Sequence, residues 1–189
     1  MKMRKSTVLI LSSVLISTVS CLKQQNQADA FPAETQEGKN TIGCYIDGTP
    51  FIAATTLFGA VLPVSVTYYK DTIQYPHKAG FLSIGGTDAR YTLDVAGHLS
   101  LNKVNVFAMG NYPLTNQNLI CIERRECDGI AYYNSKTGRT YFAESGKFTL
   151  TRLDTINKIV SGRFYFTAKD SLGNRIQITD GRFDAKYRN

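Results

Sequence analysis

The 189-residue chain has no tryptophan, only two histidines and only four cysteines. With His77 and His98 alone, a histidine-built catalytic metal centre is all but excluded. The cysteines form no Cys-x-x-Cys, so a dithiol redox motif is absent. There is no Gly-x-Ser-x-Gly nucleophile elbow. Gly85-Gly86 and Ser161-Gly162 lack the surroundings of a phosphate loop or a nucleophile turn. No apolar run is long enough for a polytopic membrane protein. The missing tryptophan weighs against a glycan-stacking site. Basic residues exceed acidic ones, 22 to 15, but beyond the amino-terminal segment only Arg124-Arg125 stand side by side. A nucleic-acid partner is therefore not expected. No cofactor is implied. What remains, 43% hydrophobic and 20% charged, is the composition of a globular domain.

The amino terminus reads as an export signal. Lys2, Arg4 and Lys5 precede the uncharged stretch Ser6 to Val19, a basic region followed by an apolar region too short to span a bilayer. Ser20-Cys21 follows. This arrangement resembles a bacterial lipoprotein signal, in which the cysteine thiol receives diacylglycerol and becomes the first mature residue. Thr18 stands three residues before Cys21, where such signals usually carry leucine. The expected division is residues 1–20 as signal peptide, 21–40 as lipidated Cys21 and flexible tether, and 41–189 as one β-rich domain. Loss of the three basic residues lowers the formal charge from +7 to about +4. The segment from Leu22 to Asn40 is rich in Gln, Asn, Glu and Lys and has little to bury, so a disordered or extended spacer is expected.

From Thr41 onward the pattern is that of strands. Thr41 to Ile46 leads into Asp47-Gly48, a hairpin-turn dipeptide, and then into a second short run. Val64 to Tyr69 is β-branched and aromatic. The last third is clearest. Ile159 to Ala168 places Val160, Gly162, Phe164, Phe166 and Ala168 on one face and Ser161, Arg163, Tyr165 and Thr167 on the other. Polar turns at Asp154 to Asn157 and Lys169 to Asn174 separate it from its neighbours. The expected fold is all-β, an antiparallel meander forming a sandwich or a barrel. There is room for one short helix in Ala54 to Val61 or between Asp88 and Leu101.

The run from Gly146 to Tyr187 carries Gly146, Thr149, Thr151, Asp154, Asn157-Lys158, Ser161-Gly162, Phe164, Phe166, Gly173 and Thr179 to Asp184. In this pattern, and in the opening Gly43-Cys44 before Asp47-Gly48, the chain resembles a family of small bacterial envelope lipoproteins catalogued as a domain of unknown function. The resemblance implies a lipid-anchored β-domain and supplies no catalytic residue.

Several groups are candidates for chemistry. An exported chain meets an oxidising compartment, so the cysteines after Cys21 are expected to pair. Cys121 and Cys127 flank five residues between two strand ends, which favours a Cys121–Cys127 disulfide with Cys44 as a buried free thiol. The alternative pairs Cys44 with either of them. Asp180 and Asp184 flank Gly181 and could supply the two carboxylates of a glycosidase, with Glu144 as a third. In a strand, residues four apart lie about 13 Å from each other. The more economical reading has Asp180 accepting backbone hydrogen bonds in a turn or bulge and Asp184 paired with a base such as Arg182 or Lys186. Asp170 and Asn174 read as a hairpin turn rather than a calcium loop, and His77 and His98 as surface loop residues. Tyr68-Tyr69, Tyr75, Tyr112 and Tyr132-Tyr133 are candidate binding aromatics.

Together these features suggest an exported, lipid-anchored protein of the cell envelope, with the outer membrane as the expected membrane. Its expected role is noncatalytic binding or structure, with an envelope glycan or a protein as ligand. The competing reading is a small hydrolase of glycan or cell-wall substrates that uses carboxylates.

Overall fold

Alternation of apolar and polar residues every second position builds the molecule. The computed structural model describes residues 31–55, 62–70, 80–89, 97–115 and 129–188. Cys21, Cys121, Cys127, Tyr75 and His77 lie outside the described residues, as do the expected signal and most of the expected tether. A compact unit spans Pro32–Asn189.

Its strands are β1 Thr41–Ile46, β2 Thr49–Ile52, β3 Ala54–Thr55, β4 Val64–Tyr69, β5 Phe81–Ala89, β6 Gly97–Lys103, β7 Gly110–Thr115, β8 Ile130–Asn134, β9 Thr140–Asp154, β10 Ile159–Lys169 and β11 Arg175–Lys186. There is no helix among the described residues. Where they are described, both stretches with room for one are strand: Ala54–Thr55 is β3, Asp88 and Ala89 end β5, and Gly97 begins β6. The fold is all-β, and among the described residues the strands pair antiparallel except for the short parallel contact of β3 with β5, to which an isolated parallel bridge between Thr67 and Arg188 is added.

All eleven strands belong to one sheet, in the order β2-β1-β11-β10-β9-β8-β6-β5-β3, with β4 on β5 and β7 on β9. The sheet curls like a barrel wall. The residues after β11 reach β4, where Tyr68 N–H donates to the Arg188 carbonyl at 3.1 Å and Arg188 N–H donates to the Val66 carbonyl at 3.0 Å. Curling lets the sheet cover its own apolar face. Ile42, Leu82, Leu101, Phe148, Val160, Phe166 and Ile178 are almost fully removed from solvent. Each such side chain contributes about 2 kcal/mol.

The turns follow the sequence. Asp47 and Gly48 both have positive φ, 47° and 79°, as a two-residue hairpin with right-handed twist requires. Asp154 accepts the Ile156 and Asn157 N–H groups at 3.1 and 2.8 Å and caps the β9–β10 turn. Asp170 does the same for Leu172 and Asn174 at 2.9 and 2.8 Å.

The long strands are not regular. Between Phe164 and Phe166 of β10, the partner positions in β11 jump from Gly181 to Ile178, so β11 carries one extra residue. Asp180, with φ 51°, sits in this bulge. A bulge turns side chains to a new direction, and here Asp180 is exposed on the outer face beside Tyr165. A similar extra residue, Glu144, lies in β9 between the partners of Thr167 and Ala168. Gly162 is needed for close approach: a Cβ there would lie 2.2 Å from the Thr149 carbonyl oxygen and 2.8 Å from the Phe183 ring.

Candidate functional site

The outer face of β9, β10 and β11 is polar and forms a cleft of about 480 Å³. Register explains its lining. Thr149 of β9 pairs with Arg163 of β10, and Arg163 pairs with Arg182 of β11. Lys147 pairs with Tyr165 one step along the strands. These residues, with Asp180 from the bulge and Glu34 from the segment before β1, line the cleft. Tyr165 is 51% exposed, and the Lys147 ammonium lies 5.8 Å from the centre of its ring.

Two arginines directly opposite on neighbouring strands repel each other unless an anion lies near. Glu34 is that anion. Its carboxylate takes both arms of the Arg163 guanidinium, one of them through Nε at 2.8 Å. These hydrogen bonds hold Glu34 below the usual carboxylate range against some desolvation, with the charges of Arg163 and Arg182 adding to them.

Residues 35–40 lie as a strap over Asp184 at the end of β11, although the sequence reads as a flexible spacer up to Asn40 and places the start of the domain near Thr41. The reason for the difference is Asp184. Ser161 and Asp184 pair across β10 and β11, both face outward, and both are buried. Asp184 accepts the Thr35 hydroxyl at 2.5 Å, the Glu37, Gly38 and Lys39 N–H groups at 3.0, 2.8 and 3.2 Å, and the Ser161 hydroxyl at 2.7 Å. Burial alone would raise its pKa, but these donors outweigh it and lower the value to about 2. Gly38, at φ 74°, lets three successive N–H groups converge on one carboxylate. Arg152 donates to the Gln36 carbonyl, and the Asn40 side chain accepts the Lys186 N–H at 2.9 Å. The expected partner of Asp184, Arg182 or Lys186, is thus replaced by backbone and hydroxyl donors.

The three carboxylates put forward for hydrolysis do not converge. Asp184 is 1% exposed beneath the strap. Glu144 is paired with Arg175 at 2.7 Å and Lys169 at 3.7 Å. Of the three, Asp180 alone lines the cleft. It sits in a bulge, as expected, but no hydrogen bond to its carboxylate occurs among the described residues. No group of three or more His, Cys, Asp or Glu that could hold a metal ion occurs among the described residues.

The candidate tyrosines belong mainly to the sheet. Tyr68 is buried and donates to the Val106 carbonyl at 2.9 Å. Tyr69 stacks on Phe81 and Tyr112 on Phe148, while Tyr133 packs against Phe51 and Tyr141. Tyr132 is half-buried between His98 and Phe142. His98 is in β6, not in a surface loop. Its Nδ1 lies 3.0 Å from the Thr87 hydroxyl, and burial lowers its pKa. Cys44 is a buried free thiol, and desolvation pushes its pKa up. The aromatic that faces the cleft is Tyr165. Its signal was in the sequence all along, as the polar-face companion of Arg163 in the β10 alternation.

Comparison of the chain with protein-family models, curated proteins and solved structures finds no match.

Proposed function

We propose that this protein is a noncatalytic binding domain, exported and tethered to the cell envelope through lipidated Cys21, whose ligand site is the basic cleft on β9, β10 and β11. The observation that carries the reading is the cross-strand arrangement of Arg163, Arg182, Lys147 and the exposed Tyr165 ring on a rigid sheet. Side chains on central strands are held in place by two neighbours, which suits recognition of a ligand. Glu34 lies in hydrogen bonds that keep it ionised, so it is a poor proton donor. The basic run and apolar stretch before Cys21 support the anchor. The pattern from Gly146 to Asp184 supports kinship with the small envelope lipoproteins it resembles, and the outer membrane is the expected location. Of the cysteines beyond the described residues, Cys121 and Cys127 are read as a disulfide.

The test is capture of envelope components by the purified protein and by an Arg163→Gln, Arg182→Gln double variant. Retention by the native protein and loss by the variant support the cleft, and equal retention rejects it. Metabolic labelling with a fatty acid, with Cys21→Ala as the control, tests the anchor separately.

A further inference from the structure

We propose that the cleft recognises the carboxylate of an acidic saccharide, and that Glu34 is a built-in competitor occupying the place of that carboxylate. The proposal rests on the reading of the cleft as a ligand site and names what binds there.

The occupant already present defines the chemistry. Glu34 meets Arg163 through two parallel contacts, the fork-to-fork geometry that guanidinium offers to a planar carboxylate. Arg182 lies directly across from Arg163 and adds positive charge at the same place. The anchor that fastens the strap, however, is not Glu34. It is Asp184, which grips Thr35, Glu37, Gly38 and Lys39. Glu34 stands just before that anchor. Its side chain can swing away from Arg163 while every Asp184 contact stays in place. An external carboxylate therefore displaces Glu34 at the cost of one exposed ion pair and not of the strap.

The rest of the cleft selects the ligand class. Through this region β10 is hydrogen-bonded to β9 on one side and β11 on the other, so the floor offers side chains and no open backbone edge. A peptide added as a further strand has nothing to pair with here. A sugar acid has the matching parts. Its carboxylate meets the Arg163 fork, and its ring face lies on Tyr165, which is 51% exposed. Its hydroxyl groups donate to the exposed Asp180 carboxylate on the cleft wall. Lys147, beside Tyr165, is placed for a second acidic unit.

The experiment is calorimetric titration of the purified protein at pH 7 and low salt with trigalacturonate, its methyl ester and a short polyglutamate. Trigalacturonate is expected to bind, with the ester weaker by about tenfold. Arg163→Gln and Arg163→Lys both weaken binding about tenfold, because lysine restores charge but not the fork. Glu34→Gln tightens binding about three- to fivefold, the worth of one exposed ion pair. Glu37→Gln makes the same change in net charge on the strap and leaves affinity unchanged. The competitor role is overturned if Glu34→Gln fails to tighten binding, or if Glu37→Gln tightens it equally. Equal binding of the ester overturns carboxylate recognition. Binding of polyglutamate without trigalacturonate overturns the saccharide while leaving the cleft as a ligand site. If no probe binding and no envelope capture depends on Arg163, the proposal and the reading beneath it fall together.

Discussion

Asp184→Asn is the sharpest perturbation of this structure. The native carboxylate gathers five donors while 1% exposed. Asparagine has nearly the same shape but offers one acceptor oxygen and an NH₂ group. The donors that meet the NH₂ face another donor and lose their partner inside a covered site. Leaving one or two buried donors unsatisfied costs about 2–4 kcal/mol. The charge itself sets the pH dependence. The folded-state pKa is lowered from 3.8 to about 2, so the ionised form is favoured by folding. A depression of that size corresponds to about 2 kcal/mol, reduced toward 1–2 kcal/mol by solvent screening near the surface. The sign follows from the depressed carboxyl: this contribution is full above about pH 4 and is lost as pH falls toward 2. Urea unfolding across pH 2 to 7 reads both effects. The variant is expected to be less stable at pH 7, and its deficit relative to the native protein should shrink as acid protonates Asp184. A constant deficit at every pH would refute the electrostatic part of the reasoning. A deficit under about 0.5 kcal/mol at pH 7 would refute the anchoring role altogether.

Three further outcomes are expected. Gly162→Ala puts a methyl carbon 2.2 Å from the Thr149 carbonyl oxygen, a backbone clash no rotamer relieves, and should cost about 2–4 kcal/mol in chemical denaturation. Cys44, buried and with its thiolate disfavoured, should resist thiol reagents at pH 8 in the native protein. Once unfolded without reductant it should be the one newly modified cysteine seen by mass spectrometry, whereas modification of Cys121 and Cys127 as well would reject their disulfide. Glu144→Gln removes a carboxylate whose partners Arg175 and Lys169 are at the surface, and the melting temperature should not move outside experimental error.

The strands were legible because the sheet has one dry face, and a dry face writes period two into the sequence. Val160, Gly162, Phe164, Phe166 and Ala168 are all buried in β10 as their alternation requires. The Asp47-Gly48 turn was readable for a local reason, since the two-residue loop demands positive φ and those residues supply it. The order of strands was not readable. The pairing of β1 with β11 joins residues more than 130 positions apart, and nothing in either strand names its partner. At Asp180 a turn or bulge is readable from the residue types, but its register is not. The step out of alternation at Thr179-Asp180 becomes meaningful once Gly181 is known to face Phe164.

The strap was missed because composition averages over residues that do different jobs. From Leu22 to Asn40 the segment has little to bury, and a segment with little to bury reads as disordered or extended. Glu34 to Asn40 is ordered by another force, the need of a covered carboxylate for donors. Three successive N–H groups supply most of that need, and backbone N–H groups leave no mark on composition. What sequence does offer is a glycine at position 38 within a polar run, followed closely by Asn40 before the first strand. Gly38 and Asn40 both have positive φ, 74° and 57°, so the two residues best suited to that conformation stand where the strap bends. The same logic ties Asp184 to Glu34. A segment fastened by one buried acid carries a second acid to the arginine pair of the cleft. Any ligand at that pair therefore meets a site already filled by the protein's own carboxylate, and its affinity is measured against Glu34 rather than against water.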